Sequence, residues 1–128
     1  MNTIDIKRIY DVPSNTDGYR VLVDRLWPRG ISKKEANLDE WNKEIAPSTE
    51  LRKWFDHKEE RFTEFTQLYR EELLAKAEEL NRLRTIAKKM DITLLYGAKN
   101  SKVNHAIVLR DQLLLQMLKT KFNSDKLI

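Results

Sequence analysis

Hydrophobic and polar positions alternate at the start of the chain, and a compact apolar run follows. Isoleucines alternate with charged residues over residues 3–9, which predicts a strand near the edge of a sheet. Residues 11–18 hold the proline, serine, asparagine and glycine typical of a loop. The apolar run at residues 19–23 predicts a central strand that is covered on both faces.

Most of the chain after residue 31 has a helical pattern. Ser32 and Glu35 form a capping box before a short helix, and residues 38–41 fit a further short strand. Ser48 is placed to cap a helix that turns Leu51, Trp54 and Phe55 inward.

The second half of the chain contains the longest periodic segments. Residues 59–89 carry apolar side chains at spacings of three and four, which predicts one or two helices with a break near residues 75–77. Residues 91–96 return to a strand pattern that ends at Gly97, and residues 103–117 predict an amphipathic helix. A polar, lysine-bearing tail follows from about residue 119.

These elements predict a single α/β domain over residues 1–128. Strands separated by helices favour a small, mainly parallel sheet of about four strands covered by helices. The strand order stays open. The chain length is typical of one domain with its own hydrophobic core.

The amino-acid composition excludes several classes of protein for this chain. With no cysteine, the chain has no disulfide, no thiolate nucleophile and no cysteine-bound metal. The first residues lack the apolar stretch of a signal peptide, and no apolar run is long enough to span a bilayer. We therefore expect a cytoplasmic protein without a membrane partner. The net charge of +4, from 24 basic and 20 acidic residues, favours phosphate-bearing partners only slightly.

Polar residues follow two of the predicted strands directly. Asp24 and Arg25 follow the apolar run, and Gly97 to Lys99 follow the strand that ends at Tyr96. Open α/β sheets bind ligands beyond the carboxyl ends of their strands, so we expect a site there.

The segment from Asp24 to Gly30 is the first candidate. Arg25 and Arg29 are suited to clamping an anion, Trp27 offers a stacking face, and Asp24 is a candidate general base. The structural alternative is that Asp24 pairs with Arg25 or Arg20 and that Trp27 caps the core.

The second candidate segment begins at Tyr96. Tyr96 is a possible stacking wall, Lys99 adds a positive charge, and the final helix presents its N-terminus to an anion. Asn104 is expected to orient a ligand and His105 to be a catalytic acid or base. The alternative makes Asn104 a first-turn residue and His105 a surface residue.

Other chemistry has less support. Arg8 and Trp54 complete the expected ligand-binding set, although aromatic residues at helical spacing are usually core. His57 follows a helix, where a histidine ordinarily interacts with the helix dipole. The two histidines and no cysteine give no recognisable metal site, and the common nucleotide and serine-hydrolase motifs do not occur, so we expect neither a metal nor a cofactor.

Several stretches resemble one family over nearly the whole chain up to the last helix. The chain is similar to the YeaO-like proteins, a family of unknown function, at Ile6–Asp11, Gly18–Gly30, Trp41, Ala46–Ser48, Leu51–Phe55 and Thr93–Lys99. The string from Val23 to Gly30 is the most specific of these. The resemblance implies a small cytosolic α/β protein of bacteria or archaea and transfers neither an activity nor catalytic residues.

Three functions remain open at this point, and so does the oligomeric state. In the first, the protein binds or acts on an anionic small molecule at the carboxyl ends of its strands, as an enzyme or as a binder. In the second, it associates with nucleic acid through its basic loop and through Lys119, Lys121 and Lys126. In the third, it is a structural or partner-binding domain with a buried ion pair between Asp24 and Arg25.

Overall fold

The structure, a computed structural model, describes the backbone of residues 2–126 and the side chains of residues 2–115. Within these residues the strands are β1 (Ile4–Arg8), β2 (Tyr19–Leu22), β3 (Glu40–Trp41) and β4 (Ile92–Tyr96). The helices are α1 (Lys33–Ala36), α2 (Thr49–Phe55), α3 (Phe62–Leu74), α4 (Ala77–Lys89) and α5 (His105–Lys126), with a 3₁₀ turn at Glu59–Arg61. None of the helices in this part of the chain is both long and apolar enough to cross a bilayer.

The sheet has the order β1-β4-β2-β3, and each neighbouring pair is parallel. The prediction of a small parallel sheet covered by helices is confirmed. β1 lies at an edge and β2 lies inside, as their alternating and continuous apolar patterns predict, and β4 also lies inside. Because the strands are parallel, their carboxyl ends meet at one edge of the sheet.

The core lies on both faces of β4, whose five residues are all buried. The larger cluster joins β4 to α3 and α5 through side chains such as Phe65, Tyr69 and Leu109. A smaller cluster on the opposite face contains Leu22 and Leu95 and is covered partly by Trp27. The β4 strand is therefore inaccessible along its length.

Local capping sets the helix boundaries. Ser32 and Glu35 form the predicted capping box of α1, and the Ser48 hydroxyl accepts a hydrogen bond from the Leu51 N–H at 3.1 Å. The predicted break falls at residues 75–76, between α3 and α4. The backbone of α5 continues to Lys126, so the segment from about residue 119 begins as helix, and its lysine side chains lie outside the described ones.

An ion cluster links the loop before β2 to strands β1 and β2. The buried Arg20 guanidinium pairs with the carboxylate of Asp17, which also accepts hydrogen bonds from Lys7 and from the Ser14 N–H. The structural alternative in which Arg20 pairs with Asp24 is therefore wrong, because the Arg20 guanidinium pairs with Asp17 and donates to the carbonyls of Ala36 and Asn37.

Candidate functional site

The ends of β2 and β4 are joined just beyond the sheet. The Val23 N–H donates to the Leu95 carbonyl at 3.0 Å, which continues the parallel pairing by one residue. The next residue, Asp24, then accepts a hydrogen bond on Oδ2 from the Gly97 N–H at 2.9 Å. A Cβ at position 97 would lie 2.9 Å from that same oxygen, so glycine permits the close approach.

The second oxygen of Asp24 lies against His105. Asp24 Oδ1 is 3.0 Å from His105 Nε2, and Nε2 is also 2.9 Å from the Val23 carbonyl oxygen. Within the described part of the chain Oδ1 is buried and has no hydrogen-bond partner, so its contact with Nε2 is electrostatic rather than a directed hydrogen bond. Both neighbours of Nε2 are acceptors, so we assign the ring hydrogen to Nε2.

Asn104 fixes the start of α5 and hence the position of His105. Its side chain is buried, with Oδ1 accepting from the Ile107 N–H at 3.1 Å and Nδ2 donating to the Asn100 carbonyl at 2.9 Å. This is the geometry of a helix N-cap. The Asn104 side chain, which the sequence predicts to orient a ligand, is thus hydrogen-bonded to the backbone. Asn104 also lines a cavity at the strand ends.

A cavity of about 570 Å³ opens in front of these strand ends. Its described lining contains six basic or imidazole side chains: Arg25, Arg29, Arg52, Lys99, His57 and His105. Asp24 is the only carboxylate in that lining. The cavity is therefore electropositive, and its one acid accepts a hydrogen bond from the Gly97 N–H.

The remaining walls are largely apolar. Trp27, Pro28, Phe55 and Phe65 line the cavity. Trp27 is held in place because its Nε1–H donates to the Ile31 carbonyl at 2.8 Å and its ring packs edge-on against Trp41. Apolar walls weaken solvent screening and strengthen charge interactions inside a cavity.

Arg25 has a structural role that the sequence did not indicate. Its Nε donates to the Pro47 carbonyl at 3.0 Å and its Nη2 to the Ala46 carbonyl at 3.2 Å. The guanidinium therefore anchors the segment before α2, and the ion pair between Asp24 and Arg25 does not form. Arg29 and Lys99, by contrast, are exposed at the cavity.

Three of the expected site residues lie outside the cavity lining. The Arg8 guanidinium donates from Nε to the Ala98 carbonyl at 2.9 Å and stacks on Tyr10, so it supports the loop after β4. Tyr96 is only 2% exposed, because the central strand is covered on both faces, and burial raises the pKa of its hydroxyl. Trp54 lies in a separate groove beside Leu68 and stacks with Arg61.

The third wall of the cavity was missed by sequence reasoning. It is formed by Arg52 and Phe55 of α2 and by His57 beyond it. Asp56 and His57 both have positive φ, at 49° and 55°, so the chain turns sharply where α2 ends. An Asp-His pair after a helix is a signal for such left-handed residues, since aspartate and histidine are enriched there.

The fold and the cavity define a small parallel α/β protein with an electropositive cavity at the carboxyl ends of its strands. The chain belongs to the YeaO-like family: a family model described as "Inactive DUF488-N3 subclade" matches residues 3–127. The predicted family resemblance is confirmed.

Curated relatives support the same assignment. The chain is 54% identical over 110 residues to the uncharacterized protein YeaO of Escherichia coli (strain K12), covering 86% of this chain and 96% of that protein. It is 41% identical over 106 residues to the uncharacterized proteins Rv3073c of Mycobacterium tuberculosis (strain ATCC 25618 / H37Rv) and Mb3100c of Mycobacterium bovis, covering 83% of this chain and 89% of each relative. No solved structure matches the chain.

Proposed function

We propose that the cavity binds an anionic small molecule that carries a phosphate or carboxylate group next to an apolar or aromatic part. This proposal rests on the residues that line the cavity, because the cationic side chains among them outnumber the single carboxylate. Ligand sites in parallel α/β sheets lie at this edge of the sheet.

The three exposed cations are the anion-binding residues. Arg52 approaches from α2, Lys99 from the loop after β4, and Arg29 from the turn after β2. A guanidinium binds a phosphate or carboxylate through two parallel hydrogen bonds, and an ammonium acts as a point charge. Trp27 and Phe55 form the surface against which the apolar part of the ligand packs.

A binding role is favoured over a catalytic one. The matching family model is described as an inactive subclade, and Asn104 and Arg25 are committed to the backbone. We therefore assign Asp24 and His105 to ligand positioning. A concave cavity of this size suits a small molecule better than a nucleic acid.

The test is calorimetric titration with adenosine, AMP and inorganic phosphate, supported by thermal-shift measurements. Wild type should bind AMP but not adenosine, and Arg52→Ala should weaken AMP binding about 10-fold or more, because it removes a charge-assisted hydrogen bond. Arg70→Ala, at an exposed position of α3 outside the cavity lining, is the matched control.

The proposal fails if AMP does not bind wild type. It also fails if Arg70→Ala weakens AMP binding as much as Arg52→Ala. If duplex DNA bound with an affinity that fell steeply with salt while AMP did not bind, the nucleic-acid alternative would replace it.

A further inference from the structure

The surroundings of His105 determine which ring nitrogen can change its protonation. Nε2 lies 2.9 Å from the Val23 carbonyl and 3.0 Å from Asp24 Oδ1, and neither oxygen can donate a hydrogen bond when the carboxylate is ionised. Nε2 therefore carries a hydrogen in both the neutral ring and the imidazolium. Any gain or loss of a proton takes place at Nδ1.

Nδ1 is the uncommitted nitrogen of this ring. It makes no hydrogen bond with the described part of the chain, and His105 lines the cavity. The ring edge rests against Tyr69 of α3, whose hydroxyl donates to the Ile45 carbonyl and so does not compete for Nδ1.

The charged groups around His105 have opposite effects on the protonation of its ring. Asp24 favours the imidazolium, and its buried Oδ1 has no donor among the described residues, which is costly for a carboxylate oxygen. The cavity cations disfavour a further positive charge: Arg25 and Arg29 from the loop after β2, Arg52 and His57 from α2 and the residues after it, and Lys99 from the loop after β4. A bound anion would neutralise these cations, so the effect of Asp24 would prevail and favour the imidazolium.

We propose that His105 binds the ligand anion as an imidazolium through Nδ1–H, and that anion binding takes up one proton from solvent, stabilised by Asp24. This role rests on the proposed function and adds to it a specific proton linkage. The proton attaches to Nδ1, the anion accepts the resulting hydrogen bond, and no covalent bond forms or breaks. His105 is then the residue that makes anion affinity depend on pH.

Sulfate is a suitable probe because it is a dianion that does not itself titrate near neutral pH. Calorimetric titration with sulfate in two buffers of different ionisation enthalpy measures the protons taken up. We expect sulfate binding to take up protons and the affinity to fall as pH rises, by at most about 10-fold per pH unit. His105→Gln should abolish the uptake, and Arg70→Gln, at an exposed position of α3 outside the cavity lining, should retain it.

Nitrogen-15 spectra of the wild-type imidazoles provide a second readout that needs no variant. At a fixed pH, saturating sulfate should shift the His105 signals from a ring with hydrogen on Nε2 alone toward a ring that is protonated at both nitrogens. Sulfate binding without proton uptake, or uptake that survives in His105→Gln, overturns this role of His105 while anion binding stands. If neither sulfate nor AMP binds wild type, both proposals are overturned.

Discussion

The Gly97 N–H donates to Asp24 Oδ2 at 2.9 Å, across a separation of 73 residues in the chain. This hydrogen bond joins the carboxyl ends of the two internal strands and aims the other carboxylate oxygen at His105. The candidate site is therefore built on the two strands that are covered on both faces, and its geometry depends on the rigidity of the sheet.

Removing the Asp24 carboxylate should destabilise the protein moderately. Asp24→Ala leaves the Gly97 N–H without its partner, so we expect the free energy of unfolding to fall by about 1–3 kcal/mol. In Asp24→Asn the side-chain oxygen can still accept from that N–H, but its NH2 group faces the Nε2–H of His105, so we expect a loss of about 1–2 kcal/mol. Urea unfolding followed by circular dichroism measures both. A loss near 3 kcal/mol for Asp24→Asn would instead indicate a one-sided buried ion pair.

Substitution of Arg25 should lower the stability of the protein, whereas substitution of Arg29 should weaken ligand binding. Arg25→Ala removes the donor to the Pro47 carbonyl and one of two donors to the Ala46 carbonyl, which also accepts from Lys76 Nζ at 3.4 Å, so we expect a loss of about 1–3 kcal/mol in the free energy of unfolding. Arg29→Ala, at an exposed side chain, should change stability by less than about 0.5 kcal/mol and weaken AMP binding. Urea unfolding and calorimetry are the measurements. The assignment is wrong if Arg29→Ala destabilises more than Arg25→Ala.

Gly18 is required where the loop enters β2. Its φ is +68°, and a Cβ there would lie 2.2 Å from the Asp91 carbonyl oxygen. Gly18→Ala combines an unfavourable backbone conformation with this clash, so it should lower the free energy of unfolding by about 3 kcal/mol. Gly30→Ala is the matched control, because its φ is +78° but its Cβ would meet open space. We expect about 1 kcal/mol for that control, and equal losses in thermal unfolding would contradict the clash.

Asp17 should contribute to acid sensitivity. Burial raises the pKa of Asp17, but hydrogen bonds from the Ser14 N–H, Lys7 and Arg20 outweigh burial and hold the pKa below its ordinary value. The folded state therefore releases this proton more readily than the unfolded state. Asp17 contributes stability above about pH 4, and that contribution is lost as pH falls through the folded pKa.

The Asp17 contribution is measured from urea unfolding between pH 2 and pH 7. Asp17→Asn should lower stability at pH 7 by about 3–5 kcal/mol, because it leaves Arg20 buried without its counter-charge, and should flatten the acid dependence. Glu78→Gln, at an exposed position of α4, controls for the loss of a carboxylate elsewhere. An unchanged acid dependence in Asp17→Asn would contradict this role.

Local patterns were sufficient to predict the secondary structure and the parallel sheet. The capping box at Ser32, the Ser48 cap and the strand pattern of β4 each depend on neighbouring residues, so the sequence reveals them directly. The two strand ends were also located correctly, because the topology of a parallel sheet places them at one edge.

The composition of the cavity required the three-dimensional structure. Which residues of α2 face the cavity depends on how the helix is rotated against the sheet, and the observed rotation turns Arg52 and Phe55 toward the cavity and Trp54 away. The partner of Asp24 could not be predicted either, since the contact with His105 depends on where α5 begins relative to β2. Long-range relations of this kind leave no periodic signal in the sequence.

The most direct test of the central claim is a map of backbone amide chemical-shift changes when AMP is added to the nitrogen-15-labelled protein, with adenosine as the uncharged control. We expect AMP to shift the amides of residues 24–29, 52–57 and 97–105 in a saturable way, and adenosine to leave these amides nearly unchanged. Shifts concentrated elsewhere, or equal shifts with adenosine, would contradict an anion-binding cavity at the carboxyl ends of the strands.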